Sequence, residues 1–364
     1  MHTVVRRLIL VVTLAAGTGT ASLSAQQPTL EPRAPDSTKA APAPSPITVG
    51  GVVYAQYLYQ LRDTANHVNN FDVTRAYVNV VGRFKGGIGT RVTSDIFRTA
   101  DGSLSLRLKY AYVGWTPAGS ALTWKLGMIH TPLLDWEEAL WDYRMQGTVA
   151  LDRNGYVTSS DLGAGADGTW HREAINAQVG IYDGEGYSKA PGDKRKDVAG
   201  RVSVRVLNTD DMSRVGGLRV TAFTQVGKPT GGGLRDRFVG ILSYRSSLLT
   251  LAGEFARTMD RSDNPPAPAT PTGLTVDGQV ISAFGVFHIP HSRAAIIGRV
   301  DVVDPNTDVD GNRQTRFIAG ASYQLTPNLR LLADVDNLAY EDGIATPAQY
   351  ATKTQALFQV QATF

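Results

Sequence analysis

From Ile47 to Phe364 apolar and polar residues alternate, segment after segment. In AINAQVGIY, Ile175, Ala177, Val179 and Ile181 oppose Asn176, Gln178 and Gly180. In DVAGRVSVRV, Val198, Val202, Val204 and Val206 oppose Arg201, Ser203 and Arg205. Phe317, Ala319, Ala321, Tyr323 and Leu325 oppose Arg316, Ser322 and Gln324, and Leu329, Leu331, Ala333 and Val335 oppose Arg330 and Asp334. The same rule in SLSLRLKYAYVGW puts Leu104, Leu106, Leu108, Tyr110 and Tyr112 on one face and Ser105, Arg107 and Lys109 on the other. Successive side chains of a strand point to opposite faces, so each segment reads as a strand with one apolar and one polar side. About sixteen such strands are expected, beginning near Ile47, Phe71, Ile88, Ser103, Ala121, Thr158, Arg172, Asp197, Gly217, Leu234, Leu248, Val276, Arg293, Arg313, Asn328 and Ala351. No segment reads as an amphipathic helix.

The connections alternate in kind. Every second one is generally short, as at 85–87, 117–120, 170–171, 246–247, 290–292 and 326–328, with the one after Val206 a little longer. Most of the others are long and polar, and the longest runs from 131 to 157. Tight turns at one rim and long loops at the other are the asymmetry of an up-and-down transmembrane barrel. A sandwich would instead bury the apolar faces between two sheets. The length of the faces favours the barrel, since a tilted strand crosses a bilayer in about 9–11 residues. So do Tyr57, Tyr59, Tyr110, Trp115, Trp124, Trp170 and Tyr340, which gather near strand ends like aromatic girdles. The final segment, ALFQVQATF, places Phe358, Val360 and Phe364 on one face, as a last strand pairing with the first would, and its terminal aromatic resembles a barrel-assembly signal. The expected fold is all-β: an antiparallel transmembrane barrel.

Composition adds a compartment. Residues 1–25 have a basic start (Arg6, Arg7), a short apolar stretch and small residues before Ala25, the pattern of a secretory signal peptide. Residues 26–46 are rich in Pro and Ala and read as an extended linker, leaving 47–364 for the barrel. No cysteine is present, so disulfides, thiolate metal sites and cysteine nucleophiles are excluded. The formal net charge of +3 gives no reason to expect a nucleic-acid partner.

If the apolar faces meet outer-membrane lipid, the polar faces line an aqueous lumen. Candidate pore-lining cations are Arg75, Arg91, Arg107, Lys109, Lys125, Arg201, Arg205, Arg219, Arg316 and Arg330. Inward acids are fewer: Asp95, Glu254, Asp301, Asp334 and Asp336. Surplus fixed cations would favour anions; arginines paired with acids of the third long loop would give structure and little selectivity. Both readings stand at this level. The third loop, with Asp135, Glu137, Glu138 and Arg144, is the expected constriction.

The order of segments resembles the phosphate-selective porin O/P family over most of 47–364. The likeness is clearest in ITVGGVVYAQYLY, FDVTRAYVNVVGRFKGGIGTRVTSDI, LKYAYVGWTP and LGMIHTPL. Arg75-Ala76, Asp95, Gly127, Pro132 and an acid at Glu137 or Glu138 match the family's pattern. The resemblance implies a homotrimer of 16-stranded barrels, an inward third loop and guided anion passage. The chain departs from the family at Thr74-Arg75, where two arginines are usual, in the acidic start of its third loop, and in lacking a dense lysine cluster. The resulting expectation is an outer-membrane porin passing small anionic or neutral solutes without cofactor or catalysis, built with the help of barrel-assembly machinery.

Two other chemistries bear on the picture. DPNTDVDGN spaces Asn306, Asp308 and Asp310 like a calcium loop, but Phe317 stands where the closing glutamate should be, so a flexible loop is the better reading and a weak Ca²⁺ site the alternative. No other residues suggest a metal site. The rival functions are a scaffold or adhesin barrel and a surface Ser-His hydrolase, for which no nucleophile elbow is evident.

Overall fold

All sixteen alternating segments are strands in the computed structural model, which describes residues 46–263, 273–341 and 353–364 together with 346 and 349. The expected signal peptide and nearly all of the linker lie outside the described residues. In chain order the strands are β1 (Ile47–Gln60), β2 (Asn69–Phe84), β3 (Ile88–Arg98), β4 (Leu104–Trp115), β5 (Leu122–His130), β6 (Ser160–Trp170), β7 (Ile175–Tyr182), β8 (Asp197–Leu207), β9 (Gly217–Val226), β10 (Gly233–Arg245), β11 (Leu249–Ser262), β12 (Val276–His288), β13 (Ala294–Asp304), β14 (Gln314–Thr326), β15 (Leu329–Tyr340) and β16 (Thr354–Thr363). Each pairs with its chain neighbours, and β16 returns to β1, so the sheet is a closed antiparallel up-and-down barrel.

The seam matches Val52 with Thr363, Tyr57 with Phe358 and Gln60 with Gln355. Beyond the strand, the Gly51 amide donates to the Phe364 carbonyl at 2.9 Å and the Phe364 amide to the Gly51 carbonyl at 3.1 Å. A Cβ on Gly51 would lie 2.4 Å from the Phe364 ring and 2.6 Å from the Tyr77 carbonyl oxygen. Only glycine lets the last ring lie across the first strand.

The face assignments hold for β7, β8, β14 and β15, whose apolar positions are exposed or half-buried on the outer wall and whose polar positions are largely buried inside. They fail in β4. Thr93 of β3 pairs with Tyr110 but Ser94 with Leu108, so Lys109 is an extra residue without an opposite number. A bulge of one residue reverses the alternation beyond it. Tyr110 and Tyr112 therefore turn into the barrel, and Tyr110 leaves the girdle. Trp115 and Trp124 stay outside, directly opposite each other near one rim.

The expectation of no helix is also corrected. Within 131–159 the chain forms α1 (Leu134–Trp141) and α2 (Ala150–Arg153), both inside the barrel. Leu134, Trp136, Glu137, Leu140 and Trp141 are all buried. A helix enclosed on every side carries no single apolar stripe, so the periodic signal is absent.

Replacing Gly51 by Val should cost about 1–3 kcal/mol of overpacking at the seam. The expected outcome is a smaller fraction of heat-modifiable folded barrel on SDS gels, with Phe364→Ala partly relieving the Val variant. Equal folded fractions for wild type and Gly51→Val would sink this account of the seam.

Candidate functional site

Loop 3 (131–159) leaves the wall at Gly127. Its φ of 126° lies where side chains are strained, and a Cβ there would sit 2.3 Å from the Ala111 carbonyl oxygen. Beyond this point β5 separates from β4, whose pairing with it spans only Ala111–Trp115. The loop then turns inward. Trp136, Leu140, Trp141 and Leu151 are completely buried, and Trp141 packs edge-on against Phe284 of β12 with ring centroids 5.2 Å apart. Burying each such side chain contributes about 1.5–3 kcal/mol, and this draws the loop into the lumen.

Wall side chains then fix the loop's polar groups. Arg201 donates to the Pro132 carbonyl at 2.8 Å, Arg237 to the Tyr156 carbonyl at 2.9 Å and Arg299 to the Thr148 carbonyl at 3.0 Å. Gln359 of β16 donates to the Met145 carbonyl at 2.9 Å, and Tyr143 bonds Ser322 at 2.7 Å. Arg330 pairs with Asp142 at 3.2 Å, and Arg153 of α2 with Asp336 at 3.5 Å. Within the loop, Arg144 pairs with Glu138 at 3.0 Å.

A second segment enters from the opposite rim. Residues 208–216, between β8 and β9, fold into the barrel with Val215 buried. Arg205 holds the Gly216 and Ser213 carbonyls at 3.0 and 2.8 Å, and Arg219 also donates to the Gly216 carbonyl at 3.0 Å. Arg214 reaches α1, pairing with Asp135 at 2.7 Å and donating to the Asp135 carbonyl at 2.7 Å. Arg201, Arg219 and Arg214 also surround the Trp136 ring, at 4.1, 5.3 and 5.7 Å. Loop 3 is thus gripped from both mouths. Burial alone would raise the Asp135 pKa, but Arg214 overrides it and holds the carboxyl well below the usual range.

The ten candidate pore cations divide in two. Arg75 and Arg107 share Asp95 at 2.6 and 2.9 Å, Lys125 pairs with Asp167, Arg316 with Asp336 at 2.7 Å, and Arg330 with Asp142. The other five have no carboxylate within salt-bridge reach among the described residues. Arg91 bonds Thr93, Asn79 and His130 at 3.0, 2.9 and 3.1 Å and lies over Tyr110. Lys109 is enclosed between the rings of Tyr77 and Tyr110. Arg201, Arg205 and Arg219 are occupied by carbonyls, amide and hydroxyl oxygens and, for Arg201 and Arg219, the Trp136 ring. Asp135, Glu137 and Glu138 do not form one acidic rim. They point respectively at Arg214, at Glu254 of β11 and at Arg144.

Asn306, Asp308 and Asp310 stay together on the 305–313 loop, far from α1 in the chain. There Asn306 accepts the Asp308 amide at 3.1 Å and forms the turn itself. Trp136, Trp141 and Arg214 escaped the sequence reading. The one hint of Arg214 was the greater length of the connection after Val206.

These features define a 16-stranded porin-type barrel with an inward third loop. No family model matches the chain, and no curated protein does. Solved structures do match in fold. The chain is similar to OmpF of Salmonella typhi in complex with daunomycin (13% identity, 87% of this chain and 97% of that one, TM-score 0.62). It is similar to the trimer form of in-vitro folded OmpT, an outer-membrane protein of Vibrio cholerae (12%, 87% and 98%, TM-score 0.57). It is also similar to a mutant of the Rh. blastica porin (14%, 87% and 100%, TM-score 0.53).

Removing Arg214 should loosen α1. We expect Arg214→Ala to raise acrylamide quenching of tryptophan fluorescence, because Trp136 and Trp141 gain access to water while Trp115, Trp124 and Trp170 are unaffected. Because the Asp135 pKa is lowered, the clamp is whole above the ordinary Asp range of about 4 and is lost only as pH falls through the lowered value. Quenching that rises in the wild type as pH is lowered from about 7 to about 5 would contradict this.

Proposed function

We propose that the chain is an outer-membrane porin, a passive channel for small hydrophilic solutes whose passage is set by loop 3. The observation that carries the reading is a charged, aromatic loop folded inside a closed barrel whose outer wall is apolar. Such a wall is stable against lipid, where a closed sheet leaves no backbone group unpaired. Residues 1–25 direct export, and three copies assemble in the membrane, as in the trimer form of the Vibrio OmpT. With Trp136, Leu140 and Trp141 buried inside the barrel, the position of loop 3 sets how much of the lumen is open.

A preference for small anions is the finer part of the proposal. What supports it is Arg91, Lys109, Arg201, Arg205 and Arg219, five lumen cations without a carboxylate partner, together with the segment resemblance to the phosphate-selective porin O/P family. The five paired cations keep the bias modest, and phosphate specificity does not follow. The test is the reversal potential of the purified protein in a planar bilayer under a KCl gradient. A potential on the chloride side is expected, and Arg91→Gln should shift it towards zero. A potential on the potassium side would overturn anion preference and leave the porin.

A further inference from the structure

Loop 3 makes one contact with the wall that differs in kind from the rest. Glu137 on α1 and Glu254 on β11 are both nine-tenths or more buried, and their carboxyls face each other. None of their four oxygens accepts a hydrogen bond from another group of the protein. The charged groups packed around them are on β13. Arg299 donates its Nε to Asp301 at 2.8 Å and one Nη to the Thr148 carbonyl at 3.0 Å, and Ser282 of β12 donates to the same Asp301 oxygen at 2.7 Å. Asp301 therefore already balances Arg299. A proton shared between the two glutamates satisfies both carboxyls; two carboxylates at this site would face a single guanidinium, Arg299, which Asp301 already neutralises and whose remaining Nη bonds neither of them.

We propose that Glu137 and Glu254 form a protonation latch, which holds loop 3 in the lumen while the pair retains a proton and releases it when both carboxyls ionise. This rests on the porin reading. Burial and the neighbouring Glu254 push the Glu137 carboxyl well above its ordinary range. A raised acid stabilises the inward loop at low pH, and that stabilisation is lost as pH climbs from the ordinary Glu value of about 4.3 towards the raised one. Ionisation then favours a conformation in which water reaches the carboxylates. The Arg214–Asp135 pair, whose carboxyl is held well below its usual range, stays charged across the same interval, so it opposes release without setting its pH.

The test is single-channel recording of the full-length exported protein from about pH 5 to about pH 9, where a one-proton linkage gives at most about a tenfold change per pH unit. Wild type should open increasingly as pH rises. Glu254→Gln and Glu137→Gln, each supplying a permanent amide donor, should stay at the low-pH level throughout, with folding checked by heat modifiability. A barrel with residues 134–153 replaced by a short Gly/Ser linker should conduct at every pH. An unchanged pH profile in both Gln variants, or a flat wild type beside a conducting loop deletion, overturns the latch and leaves the porin reading intact. Silence from both wild type and the folded loop deletion overturns the porin reading itself.

Discussion

Every backbone N–H and C=O of this wall needs a partner on a neighbouring strand, and sixteen strands meet that demand only if β16 returns to β1. The other features follow from that closure. It gives the sheet an inside and an outside, so alternation becomes a division between outer wall and lumen. It encloses a volume wide enough to admit a loop. It also makes the Gly51–Phe364 contact matter, because the two ends of the sheet are held there by backbone hydrogen bonds and one ring.

The enclosed volume is then filled. A barrel of this strand number leaves a water-filled bore unless something occupies it. Here Trp136, Leu140, Trp141 and Leu151 provide a second apolar core inside a wall whose first apolar surface faces outward. Lumen arginines serve this core, capping loop carbonyls and stacking on Trp136 and Tyr143. The same side chains that look like a selectivity ladder in the sequence are, in large part, the fastening of loop 3.

The strands were legible because a period of two needs no knowledge of partners, and their observed starts fall within three residues of those read from alternation. The bulge at Lys109 was not legible, because an extra residue leaves no compositional trace and reveals itself only when Thr93 and Ser94 find their partners. Helix α1 was hidden for a related reason. Its surroundings are made by β-strands and a connection distant in the chain, so no single polar face marks it. Charge pairing fell between the two. The acids and arginines were visible, but nothing in their spacing sends Arg214 across the lumen to Asp135, 79 residues away.

The bulge has a consequence for how such a barrel diversifies. Lys109 and Tyr110 are neighbours in the chain and yet both face inward, because Lys109 stands in excess. Deleting that single codon would close the bulge into a regular ladder with Leu108 still outward and Tyr110 and Tyr112 still inward, so the ring beneath Arg91 and His130 stays and one ammonium leaves the lumen. Lumen chemistry here is therefore open to revision by insertion and deletion as well as by substitution. A shorter β4 would thus keep every face of the wall and lose one lumen cation.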